Sequence, residues 1–257
     1  MSPVQLPVSQ IVVELRAPTG ADDLLLLEMT GDPVEITMAW LERLACRAEV
    51  GPLGAGELPF TDLQWLLLEQ RRTLLGDEVM ARSRCARAEC GARTDISFSI
   101  GDYLAHHQPR RPRQVDPAEM PGWFRLRDGT VVFRPPAAAD VVAARRTPNP
   151  ERELVRRTVR PEDVKGAELK RLQRALEALA PCLSDEVEGR CPECGTLTRF
   201  WFDVDEYVLR ELRFEAEWLY EDVNLLGARY HWPEEKILAL PRVRRAHYAD
   251  LAMRGAY

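Results

Sequence analysis

The sequence has no apolar run long enough to cross a membrane. Its longest apolar runs, 24–27 and 65–68, fall far short of the roughly 20 residues that a spanning helix needs. Residues 1–10 also lack a basic segment followed by an apolar one, which disfavours a signal peptide and predicts a flexible lead-in. We therefore expect a cytoplasmic protein, whose cysteines are thiols or metal ligands rather than disulfides.

Neither acidic nor basic residues dominate the chain. The 257 residues include 41 acidic and 35 basic side chains, and the formal net charge is -6. Because these charges are well mixed, they oppose general attraction to nucleic acid phosphates or anionic lipid. Arginines do cluster at 110–113 and 242–245, but no aromatic residues interleave with them as single-strand binding requires, so we expect solvated surfaces there.

Patterns typical of catalysis are missing as well. The four histidines form no metal-hydrolase motif. Gly51, Gly54 and Gly56 are not followed by the Lys-Ser or Lys-Thr pair of a phosphate-binding loop. No residue stands out as a nucleophile. We expect a protein that is not an enzyme and that takes no small-molecule substrate.

What the chain does contain is an internal repeat. Residues 75–79 read LGDEV and residues 183–187 read LSDEV. Each segment is followed by a cysteine turn, RCARAECG at 84–91 and RCPECG at 190–195. The likeness continues after the turns, where Thr94, Phe98, Ile100 and Tyr103 match Thr198, Phe202, Val204 and Tyr207. One unit is therefore used twice.

Each copy predicts the same series of elements. Apolar residues alternate over 94–100 and 198–204 at the period of a half-buried strand. Thr61 and Gln64 have capping-box spacing at the start of a helix that runs to about Leu75, and 168–180 is also helical in composition. The prediction is an α+β fold, with duplicated units of a helix and a zinc-knuckle β-hairpin, zinc-ribbon-like, and a C-terminal helical subdomain.

The remaining segments predict simpler structure. Residues 36–48 have helical spacing, Asp128-Gly129 predicts a hairpin, and 205–230 predicts one long helix followed by short helices at Pro233 and Pro241. The predicted division is a flexible lead-in at 1–18, a first unit at 19–107, a proline-rich linker with a β-hairpin at 108–165, a second unit at 166–218 and a helical segment at 219–257.

The cysteine turns predict one structural zinc site. Cys191 and Cys194 have the Cys-x-x-Cys-Gly form of a zinc knuckle, and Cys85 and Cys90 are separated by four intervening residues, still within the range of such sites. Each turn supplies two ligands and a closed site needs four, so one ion bound by all four cysteines is the economical hypothesis. Cys46 is expected to be an ordinary buried thiol, and so is Cys182.

Two other interpretations of these cysteines stay open. They can be leftover thiols in hairpin turns that bind nothing. Cys191 and Cys194 can also form a redox pair, although thioredoxin-like chemistry favours a strand-to-helix junction in a βαβ setting, which the sequence does not predict.

The C-terminal sequence resembles a known family. Residues 220–241, YEDVNLLGARYHWPEEKILALP, and 244–248, RRAHY, are similar to the C-terminal signature of the T-even phage type baseplate hub assembly chaperones, which have relatives in bacterial contractile injection systems. The cysteine turns, 96–103 and 133–142 also look similar, so the resemblance extends over most of the chain from Ile11. The longer turn at Cys85 and Cys90 departs from the usual two-residue knuckle.

The resemblance implies a cytoplasmic, non-catalytic assembly chaperone that binds baseplate hub or spike proteins of a contractile tail. The expected partner surface is the aromatic-rich helical end, where aromatic residues can anchor an interface, namely Tyr220, Tyr230, Trp232 and Tyr248. The alternative for these rings is that they pack the helical end against the rest of the protein. The alternative for the whole protein is a zinc-ribbon nucleic-acid-binding or adaptor protein.

Overall fold

The structure is a computed structural model that describes residues 2–48, 51–127 and 129–254. It combines helices with small antiparallel sheets, as the α+β prediction requires. The helices are α1 Gly20–Glu28, α2 Pro33–Leu44, α3 Phe60–Leu75, α4 Ile100–His106, α5 Ala138–Arg145, α6 Pro150–Thr158, α7 Gly166–Leu179, α8 Val204–Ala216, α9 Leu219–Tyr230, α10 Glu234–Leu238 and α11 Arg242–Arg254. None of these described helices is both long and apolar enough to cross a bilayer.

The strands form two four-stranded sheets and two hairpins. The first sheet has the order β1 Ser2–Gln5, β2 Val12–Leu15, β3 Ala45–Arg47 and β4 Gly51–Pro52. The second sheet contains β7 Val115–Pro117, β8 Phe124–Leu126, β9 Val132–Phe133 and β10 Val159–Arg160. The hairpins are β5 Glu78–Arg84 with β6 Arg93–Ser99, and β11 Asp185–Arg190 with β12 Leu197–Phe202.

The N-terminal segment is part of the fold, so the prediction of a flexible lead-in at 1–18 is wrong for the residues that the structure describes. β1 and β2 pair in antiparallel register, with Val4 opposite Val13. Leu6 and Val13 are fully buried in the main core. The amides of Val8 and Ser9 both donate to the Asp62 carboxylate of α3, which holds the turn between the two strands. Met1 lies outside the described residues.

Helix α2 ends earlier than the predicted 36–48. It begins after Asp32, whose side chain accepts a hydrogen bond from the Val34 amide, and it ends at Leu44. Beyond that point the backbone pairs with β2, so that Cys46 lies opposite Glu14. Residues 49–50 lie outside the described residues. The sheet pairing therefore overrides a pattern that reads locally as helix.

Helix α3 confirms the predicted helix but not its predicted capping box. The helix begins at Phe60, and its first-turn side chains bond to distant residues. Thr61 Oγ1 donates to the Pro181 carbonyl at 3.0 Å, and Gln64 Nε2 donates to Asp205 Oδ2 at 2.8 Å. Both acceptors are buried, and a buried acceptor without a hydrogen bond would destabilise the fold. These two tertiary bonds are therefore favoured over a local capping box.

The predicted linker at 108–165 is instead a folded layer. Its four short strands form the second sheet, which α7 covers, and their shared core includes Val115, Leu126, Phe133 and Leu172. The predicted hairpin is present, with Phe124 opposite Phe133, although Asp128 itself lies outside the described residues. Helix α6 was not predicted, although Asn149 followed by a proline is a helix-start signal, and Asn149 accepts a hydrogen bond from the Arg152 amide.

The C-terminal helices depart from the prediction at one point. The single helix predicted over 205–230 is two helices, α8 and α9, and the chain turns at Glu217 and Trp218 between them. The turn directs Leu219 inward, and α9 ends with His231 in the left-handed region at φ 55°. The short helices predicted at the two prolines are α10 and α11, which pack on α9 around Leu226 and Ile237.

This helical unit is docked on α1 by buried charges. Asp23 is fully buried and accepts hydrogen bonds from Arg242 and Arg245, and Arg245 Nε also lies 3.0 Å from Asp222. The Gly20 amide donates to the Leu240 carbonyl, and a Cβ at Gly20 would lie only 2.8 Å from Arg245 Nη1. The prediction that the 242–245 cluster is a solvated surface is therefore wrong for Arg242 and Arg245.

Candidate metal centre

Two antiparallel hairpins present the four cysteines of the repeat. The Cys85 amide donates to the Ala92 carbonyl at 2.8 Å, and the Cys191 amide donates to the Thr196 carbonyl at 2.9 Å, so each turn is closed by the same kind of bond. Gly91 and Gly195 have φ values of 55° and 71°. Glycine adopts this left-handed conformation without steric cost, which explains why each cysteine pair is followed by it.

The two hairpins pack against each other through the residues that the repeat shares. Phe98 and Phe202 make an edge-to-face contact at 5.1 Å. The two matched tyrosines exchange contacts between the copies, because Tyr103 donates to the Leu183 carbonyl and Tyr207 donates to the Met80 carbonyl. These reciprocal bonds give a physical reason for the equal spacing between each cysteine turn and its tyrosine in the two copies.

The register of the hairpins differs by two residues. Val79 pairs with Phe98, whereas Val187 pairs with Phe200 rather than with Phe202, the match of Phe98. Because successive side chains of a strand alternate between faces, a difference of two residues leaves the same face inward. The hairpins can therefore differ in length upstream of the cysteines and still bring their turns together.

The structure brings the four predicted ligands into one cluster. The Sγ atoms of the four cysteines all lie within 4.8 Å of one another, with Cys85 at 3.5 Å from Cys194 and Cys90 at 3.9 Å from Cys191. Thiolates at about 2.3 Å from a tetrahedral ion would be about 3.8 Å apart. A disulfide would need about 2.05 Å. The arrangement fits a shared metal ion, and the close pairs join different hairpins.

The environment divides the four thiols into two classes. The Thr196 hydroxyl and amide lower the pKa of Cys194 to about 6, and backbone amides, that of Cys194 first, lower the pKa of Cys191. At Cys85 the Arg87 amide lowers the pKa, but burial and the thiols of the other three cysteines raise it to about 12. At Cys90 the Ala92 amide lowers the pKa, but the thiols of Cys194 and Cys191, together with burial, raise it. Four thiolates this close need a cation to coexist, and a bound metal would supply it.

One buried hydroxyl adjoins the cluster, a second lies at the matching position of the other hairpin, and neither was predicted as part of the site. Thr94 and Thr198 occupy matching positions in the first strand residues after each turn, and both are buried. Neither Oγ1 atom has a hydrogen-bond partner within the part of the chain that the structure describes. Thr94 is one of the groups that lower the pKa of Cys191, so it faces a cysteine of the other hairpin. The sequence signal that could have identified these threonines is their recurrence at the same position in both copies of the repeat.

The other two cysteines lie outside the cluster. Cys46 is half-buried in β3, not on a helix, and its sulfur lies 4.0 Å from the Glu14 carbonyl. Cys182 is exposed, and its thiol lies 3.3 Å from the Ser184 carbonyl. The prediction that both are ordinary buried thiols is therefore wrong for Cys182, because Pro181 enters the core while the next side chain turns outward.

The surface of the hairpins is electrically balanced. Segments 78–99 and 185–202 together carry six arginines and seven carboxylates. Several of these form cross-strand pairs, such as Arg82 with Asp95 and Arg199 with Glu188. A nucleic-acid-binding ribbon would need a basic face to neutralise phosphates. Charge thus disfavours that alternative.

The four aromatic residues predicted as partner contacts divide into two pairs. Tyr220 and Tyr230 are exposed. Trp232 and Tyr248 are half-buried against the small core of the helical unit and meet edge to face at 5.2 Å. The packing alternative therefore describes Trp232 and Tyr248, while the role of Tyr220 and Tyr230 in binding stays a prediction. Sequence reasoning missed three other exposed aromatic residues of the described chain, Phe214 and Trp218 around the end of α8 and Trp201 on β12.

Comparison with known proteins adds nothing to this geometry. No family model, curated protein or solved structure matches the chain. The chemistry of the site and the resemblance in the C-terminal sequence therefore carry the functional argument.

Proposed function

We propose that this protein is a non-catalytic assembly chaperone for the baseplate hub of a contractile phage-like tail or contractile injection system, with one structural zinc ion. The observation that carries the metal part is the convergence of Cys85, Cys90, Cys191 and Cys194 within 4.8 Å. The assembly role is supported by the sequence of 220–248, which resembles the signature of such chaperones and forms the helical unit on α1.

Zinc is the ion that this ligand set favours. Four soft thiolates in tetrahedral arrangement select zinc or iron–sulfur chemistry over magnesium or calcium, which prefer oxygen ligands. All four positions are filled by protein sulfur, so no coordination position is open for a substrate or an activated water. The ion would hold the two hairpins together and take no part in a reaction.

The metal part is tested by elemental analysis of the full chain purified without chelator. We expect one zinc per chain, and we expect Cys191→Ser to abolish stoichiometric binding and solubility together, because the binding energy of a structural ion is folding energy. Cys46→Ser is the matched control and should leave metal content unchanged. Folded protein that carries no metal, or that carries iron, would contradict the zinc assignment.

The assembly part is tested by co-expression with the hub and spike proteins of the same tail gene cluster. We expect at least one of them to co-elute with the full chain in size-exclusion chromatography and to become more soluble in its presence. A tube protein of the same cluster serves as the negative control. Failure of every hub and spike protein to bind the zinc-loaded chain would refute the assembly role.

A further inference from the structure

The corner between α8 and α9 carries an unusual surface. Its sequence, FEAEWLYE at 214–221, places Ala216 and Leu219 inside the protein and turns the other six side chains outward. The exposed fraction is 65% for Phe214, 62% for Trp218 and 53% for Tyr220. We name this surface the aromatic–acidic corner, and it consists of Phe214, Glu215, Glu217, Trp218, Tyr220 and Glu221.

The aromatic rings are displayed on a fixed frame. Ala216 and Leu219 are buried, so the backbone between the rings is anchored on both sides of the turn. Arg213 donates to the carbonyls of Leu26 and Met29 at 2.8 Å each, which ties the end of α8 to α1. Rigid aromatic side chains lose little entropy when they bind, and they dominate the energetics of interfaces. Large exposed rings on a rigid corner therefore favour a docking surface.

The charges at the corner specify the partner. Glu215, Glu217 and Glu221 are exposed, and none of them forms an ion pair with a described residue. The nearest arginines along α8 are engaged elsewhere, since Arg210 lies over the Tyr207 ring and Arg213 bonds to the backbone of α1. Carboxylates attract lysine and arginine, and aromatic faces bind the same cations. Phosphate-rich partners are repelled.

We infer that the aromatic–acidic corner docks a protein surface in which lysine and arginine side chains surround apolar sockets. This inference rests on the proposed function for the identity of that protein, a hub or spike subunit, and it deepens it by naming the chemistry of the contact. It also moves the centre of the partner surface away from Trp232 and Tyr248, which pack inside the helical unit.

The test uses the full zinc-loaded chain and a synthetic peptide of lysine, arginine and leucine as the probe. We expect Trp218→Ala to weaken peptide binding at least about tenfold, the loss typical of a truncated aromatic anchor. The triple change Glu215→Gln, Glu217→Gln and Glu221→Gln should do the same and should reduce the salt dependence. The matched control is Trp201→Ala, because Trp201 is also 58% exposed and lies opposite Glu186 on the hairpin. Urea midpoints check that each variant is folded.

A second arm repeats the co-elution with the hub and spike proteins for the same variants. Loss of binding with Trp218→Ala but not with Trp201→Ala supports the inference. Peptide or hub binding that is unchanged in both corner variants, or lost equally in the control, overturns it while leaving the proposed function standing. If the peptide binds at the corner but no tail protein binds the wild-type chain, the corner is a cation-binding surface and the proposed function is the part that fails.

Discussion

Replacing Asp205 with asparagine should stabilise this protein above about pH 6. The Asp205 carboxyl group is buried between α8 and α3, where burial raises its pKa to about 6 and the hydrogen bond from Gln64 only partly opposes the rise. Asp205 Oδ1 has no hydrogen-bond partner among the described residues, and the same holds for Gln64 Oε1 and Thr37 Oγ1. Of these three atoms, the ionised Asp205 Oδ1 and Gln64 Oε1 can only accept, and the Thr37 hydroxyl alone can also donate.

The size and sign of the effect follow from the raised pKa. The pKa of Asp205 rises from 3.8 to about 6 on folding, and each tenfold change in the acid dissociation constant corresponds to about 1.4 kcal/mol. Below about pH 4 the carboxyl group is protonated in both the folded and the unfolded chain, so it imposes no penalty. Between about pH 4 and pH 6 the unfolded chain loses this proton while the folded protein keeps it, so the stability falls by up to about 3 kcal/mol and is then constant above pH 6. Asparagine stays neutral, and its amide can donate to Gln64 Oε1 or Thr37 Oγ1.

The measurement is urea unfolding of the wild type and of Asp205→Asn at about pH 4, 6 and 8, which span the range over which the carboxyl group ionises. We expect the difference in unfolding free energy to be small at the lowest pH and to grow to about 3 kcal/mol in favour of the variant at the highest. Asp95→Asn, at an exposed carboxylate on β6, is the control and should show no such trend. A variant that is less stable than the wild type at the highest pH, or a difference independent of pH, would refute the reasoning.

Three further outcomes are expected. Asp23→Ala removes the buried carboxylate that Arg242 and Arg245 share, leaves Arg245 paired with Asp222 alone and should cost about 3–5 kcal/mol. We expect early loss of hydrogen-exchange protection in α11, and full protection there would contradict the docking role of Asp23. Thr94→Val removes a buried hydroxyl that faces Cys191 and should weaken zinc binding about 10- to 100-fold in competition with a chromophoric chelator, whereas exposed Thr73→Val should not. Thr198→Val removes the matching buried hydroxyl of the other hairpin and should act in the same direction, and affinities equal to that of the wild type would show that the hydroxyls do not support the thiolates. Chelation of the proposed zinc should increase amide hydrogen exchange in both hairpins together, while the β7–β10 sheet keeps its protection from exchange. Loss of protection in one hairpin alone would argue against a shared ion.

The repeat made the candidate site predictable from the sequence. Two copies of one pattern identify the cysteines, their turns and their flanking strands, because the same local chemistry is required twice. The matched Thr94 and Thr198 were visible in the same comparison, but their burial was not. From the sequence, a threonine on a half-buried strand is expected to lie on the polar face. Its burial depends on the packing of the second hairpin, which the sequence does not show.

The parts that were missed depend on contacts between distant segments. The strands of the two four-stranded sheets are two to four residues long, too short for alternation to show, and each sheet is completed by a pairing between distant segments, Val13 with Arg47 and Phe133 with Val159. Thr61 and Gln64 read as a capping box because that signal is local, whereas their actual acceptors lie about 120 residues away or more. No glycine or proline marks the turn at Glu217 in the sequence. The chain turns there because Leu219 packs inside the protein.

Because two hairpins share the cysteine cluster, the ribosome synthesises the two halves of the site at different times. Cys85 and Cys194, the closest pair, are 109 positions apart. At a synthesis rate of about 5–20 residues per second, the first turn emerges roughly 5–20 s before the second. During that interval the nascent chain displays two thiols and the uncovered Ile96 and Phe98. A four-cysteine site becomes possible only after Cys194 has been made, so the first hairpin lacks both its packing partner and half of its candidate ligands until then.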